Sequence, residues 1–364
     1  MTDVVFTGGG TGGHLYPGLA IARALVRARP DVRPFFVGAQ RGIERDILPT
    51  TEFPHLLLDL HPLYRPQVWK NWRTLRGAMS GWSALDRMAR ERKPALVVGT
   101  GGYAAGLTSA WAAAKGIPVV QHIGDAIPGI TARWSARLSR EAYLGYPEAE
   151  QYLPHNGCVY RDTGNPIEPP PDIAPTGAAA RARWGFPAAA TVLLVFGGSQ
   201  GARAINRAVA AWVERGLPKG VCLLWATGKA HFDAYKHLDR PDVRVLGYIA
   251  PIAEAYATAD LALVRGGMMG SSELCAWGVP MVIVPLPSAA NDHQTANAKV
   301  LEAAGAARHL PERELSVERL DAVVGELLGD RGKLSAMATA ARGRGRARAA
   351  DEIAAHIGRL LHRG

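Results

Sequence analysis

Three stretches of the chain place glycines beside polar or titratable residues directly behind an apolar run. The first, Gly8-Gly9-Gly10-Thr11-Gly12-Gly13-His14, follows Asp3–Thr7 and leads into a helical pattern of Leu19, Ile21, Ala22 and Leu25. Glycines let a backbone approach a ligand closely, and a helix start offers free N–H groups and a positive dipole end to an anion. The second, Gly197-Gly198-Ser199-Gln200-Gly201-Ala202-Arg203, follows Thr191–Phe196, where backbone N–H groups and the Ser199 hydroxyl suit a diphosphate. The third, Gly99-Thr100-Gly101-Gly102-Tyr103, follows Leu96–Val98. A single loop of this kind reads equally well as a tight structural turn. Three of them at strand C-termini in two halves of the chain predict a ligand in a cleft between two domains. His14 stands at a helix start where the dipole favours the neutral imidazole that a general base requires, although a lone His is more often structural.

The spacing Gly8-x-Gly10-x-x-Gly13 also matches the dinucleotide fingerprint, which requires an acid at the tip of the second strand. The residues there are Gly38-Ala39-Gln40-Arg41, so the acid is missing and only Arg41, facing an NADP phosphate, keeps that reading open.

The elements that must position these loops are legible as short apolar runs alternating with helical stripes. The runs are Asp3–Thr7, Pro34–Val37, Leu57–Leu60, Ala95–Val98, Ile117–Gln121 and Ala142–Tyr146, then Thr191–Phe196, Val221–Ala226, Val243–Leu246, Leu261–Val264 and Met281–Val284. Runs without alternation suit strands buried on both faces, so the fold class is α/β, with two doubly wound parallel-sheet domains. Between Ala202 and Arg215, Ile205, Val209, Trp212 and Val213 fall on one helix face. The run GNPIEPPPDIAPT, Gly164–Thr176, holds five prolines and marks the hinge. The predicted domains are therefore residues 1–164 and 165–346. The pattern of a C-terminal helix, about 347–364, leaves open which of the two it packs on.

Composition narrows the class. The chain has 364 residues, 48% apolar and 20% charged, which suits folded domains and excludes disorder as the main state. Three distant cysteines, Cys158, Cys222 and Cys275, have neither disulfide-scaffold nor metal-ligand spacing. The start lacks a secretory pattern, and the uncharged stretch Ala95–Ala114 is broken by four glycines, so a cytoplasmic chain without a membrane span is expected. The formal charge of +10 still admits nucleic acid, an anionic membrane or an acidic ligand.

Taken in order, Gly9–Gly18, the Gly101-Gly102-Tyr103 loop, Gly164-Asn165-Pro166, Gly197–Arg203, Arg265–Glu273 and His293–Ala298 resemble the motifs of the MurG family of peptidoglycan N-acetylglucosamine transferases. The resemblance implies a GT-B fold, two Rossmann-like domains facing a central cleft. It implies inverting transfer from UDP-GlcNAc to the MurNAc C4 hydroxyl of lipid I, giving lipid II. No metal or other cofactor is implied, and the chain has no D-x-D element. Carried over by position, the donor falls to Thr11, Gly12, Gly13, Asp125, Ser199, Gln200, Gly201, Ile249, Arg265, Met269, Glu273, His293 and Gln294. Glu273 would accept from both ribose hydroxyls, and Ile249 would meet uracil through its backbone. Gly101, Gly102, Tyr103 and His122 would lie on the acceptor side, with His14 as the base. The chain departs from the family at His122-Ile123-Gly124-Asp125, where His-Glu-x-Asn is usual, and at Glu168, where Arg is common; Arg161 or Arg265 are the candidate replacements.

Arg65–Lys93 carries a net of +6 interleaved with apolar residues. Trp69, Trp72, Arg73, Leu75, Arg76, Met79 and Trp82 read as a helix lying in an anionic membrane interface, with Trp134 a second patch. That places the protein peripherally on the cytoplasmic side of the membrane, with UDP-GlcNAc, lipid I and anionic lipid as partners. Nucleic acid is disfavoured because the cations alternate with a helical stripe rather than with aromatic platforms on a sheet. The alternatives are a transferase with another lipid or small acceptor, a UDP-GlcNAc 2-epimerase, for which Asp125 is a lone acid, and a nonenzymatic nucleotide-sugar or nucleic-acid binding protein.

Overall fold

The computed structural model describes residues 1–61, 71–155, 157–172, 177–198 and 200–362, without the side chains of Asn71 and Arg73. Trp69, Ser199 and the side chain of Arg73 thus lie outside the described residues. The chain divides into two compact units, Met1–Ile167 with Arg348–Gly364, and Glu168–Ala347.

In the first unit β1 (Thr2–Thr7), β2 (Val32–Ala39), β3 (His55–Leu58), β4 (Leu96–Gly99), β5 (Val119–Ile123), β6 (Glu141–Leu144) and β7 (Val159–Asp162) form a parallel sheet in the order β3-β2-β1-β4-β5-β6-β7. In the second, β8 (Thr191–Phe196), β9 (Val221–Ala226), β10 (Val243–Leu246), β11 (Leu261–Val264), β12 (Met281–Ile283) and β13 (Ala307–His309) run parallel in the order β10-β9-β8-β11-β12-β13. Both are doubly wound, as the apolar runs predict: Val4, Val5 and Phe6, like Leu193, Leu194 and Val195, are wholly buried because helices cover both faces of each sheet.

In each sheet the strand order reverses at one place, between β1 and β4 and between β8 and β11, and ligands of open α/β sheets bind beyond the strand ends at such a point. Register brings Thr7 beside Gly99 and Phe196 beside Val264. The glycine loops after β1 and β4 are therefore neighbours, and so are the Gly197–Gly201 loop and the Arg265–Gly267 segment. Their closeness follows from strand order.

Two strands, β7 and β13, escape the apolar-run criterion. Val159–Asp162 is an edge strand with Val159 46% exposed, and Ala307–His309 is an edge strand of three residues, so neither needs a continuous apolar run. β5 and β3 are each displaced by two residues from the expected runs, and β6 by one or two at its ends. β6 begins at Glu141 because that carboxylate is held bidentately by Arg161 on the neighbouring strand, at 2.8 and 2.9 Å.

The C-terminal helix Ala349–His362 packs along helix Gly12–Ala28 within the first unit and places Ile353 and Ile357, both fully buried, against Val4, Leu25 and Val32. Burying each isoleucine contributes about 1.5–3 kcal/mol. The ion pair Arg27–Asp351 at 3.0 Å lies at its rim, where exposure keeps its contribution small.

Candidate active site

In the first unit the loops after β1 and β4 interlock. Gly9 N donates to Gly101 O at 3.2 Å, and the Thr100 hydroxyl lies 2.6 Å from His14 O. Gly101 sits at φ +106°, and a Cβ there would lie 2.6 Å from His14 Cδ2 and 2.9 Å from Nε2. The imidazole therefore rests on a backbone that only glycine permits. Its Nδ1 is 3.1 Å from Gly9 O and 3.3 Å from Thr11 Oγ1. A carbonyl oxygen can only accept, so Nδ1 carries the proton and Nε2 the lone pair. The tautomer is the one a base acting through Nε2 requires. Thr11, exposed, caps the helix in which Gly12 and Gly13 form the first turn.

Around this point Tyr103 is half-buried, its phenol pushed up first by burial and then by the Glu44 carboxylate. Asp125 is half-buried beyond β5. His122 corrects an expectation. Its residue is 2% exposed, and burial pulls its pKa to about 3. Enclosed and neutral, it supports the loops from beneath and presents no surface to an acceptor.

In the second unit a cavity of about 280 Å³ opens beyond β8 and β11, lined by Phe196, Ile249, Tyr256, Arg265, Gly270 and Glu273 among others. Ile249, 4% exposed, lines the cavity wall. Glu273 stands in the second turn of the helix Met268–Trp277, with Met269 half-buried in its first turn. Burial raises the Glu273 pKa, the Tyr256 hydrogen bond opposes this, and Glu168 adds to the rise. The Tyr256 hydroxyl donates to Glu273 Oε2 at 2.6 Å, and the Tyr256 ring packs on Phe196 and Trp277, each 6.1 Å away. With Oε2 held, Oε1 is the oxygen oriented for a ligand's hydroxyls.

Helix His293–Ala303 braces the same corner. Asn297 Nδ2 donates to Gly266 O at 3.0 Å, and Gln294 Oε1 accepts from Leu286 N at 2.9 Å, which leaves the Gln294 amide group as a donor. His293, half-buried, precedes it in the first turn. In the Gly197–Gly201 loop, Gly201 N donates to Gly198 O at 3.0 Å and Gln200 is exposed. Tyr256 carries no sequence signal: it acts on a residue 17 positions away, with no local spacing to reveal it, and Asn297, though inside the His293–Ala298 motif, acts on a residue 31 positions away.

Arg265 and Arg161 also differ from expectation. Arg265 Nη1 donates to Val284 O and Pro285 O, both at 3.1 Å, and pairs with Glu312 at 2.5 Å. Arg161 is engaged by Glu141. Arg265 reaches the cavity wall as one half of an ion pair.

Helix Asn71–Arg92 corrects the membrane stripe. Trp72, Leu75 and Met79 are 58%, 64% and 66% exposed, and Arg76 is exposed beside them. Trp82 instead packs against a core that includes Leu58, Leu85 and Met88. Trp134 and Ile130 form a second exposed pair, 43% and 54%. Among the described residues no helix is long and apolar enough to cross a membrane, and no group of three or more His, Cys, Asp or Glu is arranged to hold a metal ion.

Comparison with known proteins agrees with this geometry. Residues 4–144 match the glycosyltransferase family 28 N-terminal domain, and residues 192–353 match the family's C-terminal domain. A protein of Moorella thermoacetica named UDP-N-acetylglucosamine–N-acetylmuramyl-(pentapeptide) pyrophosphoryl-undecaprenol N-acetylglucosamine transferase is 39% identical, with 96% of both chains covered. Its namesake in Salinibacter ruber is 38% identical over 99% of this chain and 97% of its own. Among solved structures, MurG of Acinetobacter baumannii superposes with a TM-score of 0.78 at 27% identity, covering 99% of this chain and 100% of that one. A putative UDP-N-acetylglucosamine 2-epimerase of Listeria monocytogenes, 13% identical with a TM-score of 0.68 over 100% of this chain and 97% of its own, shares the fold alone. The chain belongs to glycosyltransferase family 28 and, within it, to the MurG group of N-acetylglucosamine transferases.

Proposed function

We propose that the protein transfers N-acetylglucosamine from UDP-GlcNAc to the C4 hydroxyl of the MurNAc unit of lipid I, with inversion, to give lipid II. The observation that carries the reading is the second-unit cavity. A carboxylate with one oxygen fixed by Tyr256 and the other left to accept from hydroxyls, with Ile249 in the same cavity wall, suits a uridine. Full-length relatives that bear this activity in their names supply the acceptor.

The mechanism follows from the chain's own groups. His14 Nε2 takes the proton of the attacking hydroxyl while its oxygen bonds to C1 of the sugar and the bond from C1 to the UDP oxygen breaks. The charge that builds on UDP is met by backbone N–H groups of the Gly197–Gly201 loop and of the Met268–Trp277 helix start. Thr11, Gly12, Gly13, Asp125, Met269, His293 and Gln294 complete the donor contacts, with Gly101, Gly102 and Tyr103 toward the acceptor. No metal ion or other cofactor is required in this scheme.

Trp72, Leu75, Met79 and Arg76 dock the first unit on the anionic cytoplasmic face of the membrane, where lipid I resides. In that setting the protein serves peptidoglycan synthesis and, through it, cell shape and division. UDP release measured with UDP-GlcNAc, with and without a lipid I analogue, tests the activity. Release should depend on the acceptor, and hydrolysis or epimerisation of UDP-GlcNAc alone would overturn it.

A further inference from the structure

Glu44 takes no part in the scheme above, yet the fold is hollowed around it. The residue is fully buried in a short helix, Glu44–Ile47, that follows β2. A Cβ on Gly9 would fall 1.4 Å from its Oε1, and one on Gly42 1.9 Å from its Oε2, so both glycines make room for the carboxyl group. Oε1 accepts from Gly10 N at 2.9 Å and from Ala39 N at 3.3 Å.

The Gly10 N–H belongs to the Gly9–Gly10 peptide. The carbonyl of that same peptide is the Gly9 O lying 3.1 Å from His14 Nδ1. Carboxylate, peptide group and imidazole thus stand in series: Oε1 accepts from the amide, and the amide's oxygen accepts from Nδ1–H. Hydrogen bonds in series polarise one another, so an amide held by an anion is a stronger acceptor at its oxygen.

We propose that Glu44 is a positioning residue that acts on His14 through this one peptide group, fixing the Nδ1–H tautomer and strengthening Nε2 as a base. The arrangement performs through an amide what a carboxylate does by direct contact in a Ser-His-Asp triad. It rests on the reading of His14 as the base. In the transfer, the acceptor proton moves to Nε2 and stays there while UDP departs; the imidazolium is stabilised through Nδ1–H, and no proton reaches Glu44.

The titratable and charged groups that face the pair from other elements are Tyr103 behind β4, His122 at the end of β5 and Arg41 behind β2. Burial pushes the Tyr103 phenol up and pulls His122 to about 3, so both are neutral when the enzyme works, and Arg41 is paired with Asp59 at 3.3 Å. The Glu44 charge is thus the one removed cleanly by Glu44→Gln, which keeps the side chain's shape and its acceptor oxygen.

The test is an NMR titration of the ¹⁵N-labelled His14 imidazole, without substrates, in the native protein and in Glu44→Gln, alongside the pH profile of transfer. The native ring should show the Nδ1–H tautomer. In Glu44→Gln its pKa should fall by about one pH unit, taking the acid limb of kcat/KM with it, while plateau kcat drops about tenfold and the UDP-GlcNAc Kd is unchanged. If Glu44→Gln does not fold, Glu44→Asp, which withdraws the carboxylate by one methylene, should shift the titration in the same direction. An Nδ1-unprotonated native ring, or an unshifted His14 titration with turnover falling only as Tm falls, would overturn the proposal. Normal turnover in His14→Ala would remove the base role alone, and the titration would still decide the link between Glu44 and His14.

Discussion

Replacing Tyr256 with phenylalanine removes one hydroxyl and nothing else: the ring, with its contacts to Phe196 and Trp277, remains. The lost bond is a 2.6 Å O–H···O contact to a carboxylate, a class worth about 1.5–3 kcal/mol. It exists with or without nucleotide, so most of that loss falls on folding stability. UDP binding feels a smaller part, the cost of ordering a freed glutamate, about 0.5–1.5 kcal/mol, or roughly three- to tenfold in Kd. Protonation adds to it. Burial already raises the Glu273 pKa and the Tyr256 bond opposes this, so the variant's pKa lies higher still. The ribose hydroxyls need the ionised form, and UDP affinity should therefore weaken as pH falls, beginning at a higher pH in the variant. Stability has the opposite sense. Between the ordinary glutamate pKa and the raised folded one, the native state binds more protons than the unfolded state. Stability thus falls as pH rises through that window, and by more in Tyr256→Phe. Isothermal titration with UDP and with its 2′,3′-dideoxyribose analogue, at pH 8 and pH 6, reads all of this. Equal Kd values for UDP in variant and native protein at both pH values, or an equal loss for the dideoxy analogue, would refute the reasoning.

Three further outcomes follow from the same geometry. His14→Ala should lower kcat by about 10²–10⁴-fold in the transfer assay while the UDP-GlcNAc Kd stays within a factor of two. Gly101→Ala, which puts a methyl group 2.6 Å from His14 Cδ2 on a backbone at φ +106°, should cost at least tenfold in kcat and lower the melting temperature, whereas Gly116→Ala, also at positive φ but with open space around it, should lower only the melting temperature. Replacing Trp72, Leu75 and Met79 together by serine should abolish co-sedimentation with anionic vesicles and leave turnover of a short-chain soluble acceptor unchanged; retained co-sedimentation at 0.5 M salt would show that another surface docks the protein.

Much of the fold is written in strands that cannot avoid burial. β1, β8 and β11 lie inside their sheets, so Val4–Phe6, Val192–Phe196 and Leu261–Val264 are continuously apolar and the runs are visible without any partner. β7 and β13 sit at edges, where Arg161 and Arg308 are tolerated and no run is required. The site is legible to the extent that it is local: the glycine loops and His14 stand where a strand ends and a helix begins, and Glu273 lies one turn further along such a helix. What the sequence withholds is which groups meet across the fold. Tyr256 reaches Glu273 from another helix, and Glu312 occupies Arg265 from beyond β13. Glu44 is the sharpest case. An acid sought at the tip of β2 is absent from residues 38–41, yet one stands a few residues on and turns back beneath the first loop, holding Gly10 rather than a ribose. Trp82 packs on Leu58, Leu85 and Met88, which its spacing from Leu75 does not reveal.

The most direct measurement is the structure of the product formed from UDP-GlcNAc and a lipid I analogue, read by NMR. Inverting transfer predicts one GlcNAc per UDP released, joined to C4 of MurNAc, with the large anomeric coupling of a β-linkage. An α-linked disaccharide, attachment at another hydroxyl, or free GlcNAc and ManNAc in place of a disaccharide would contradict it.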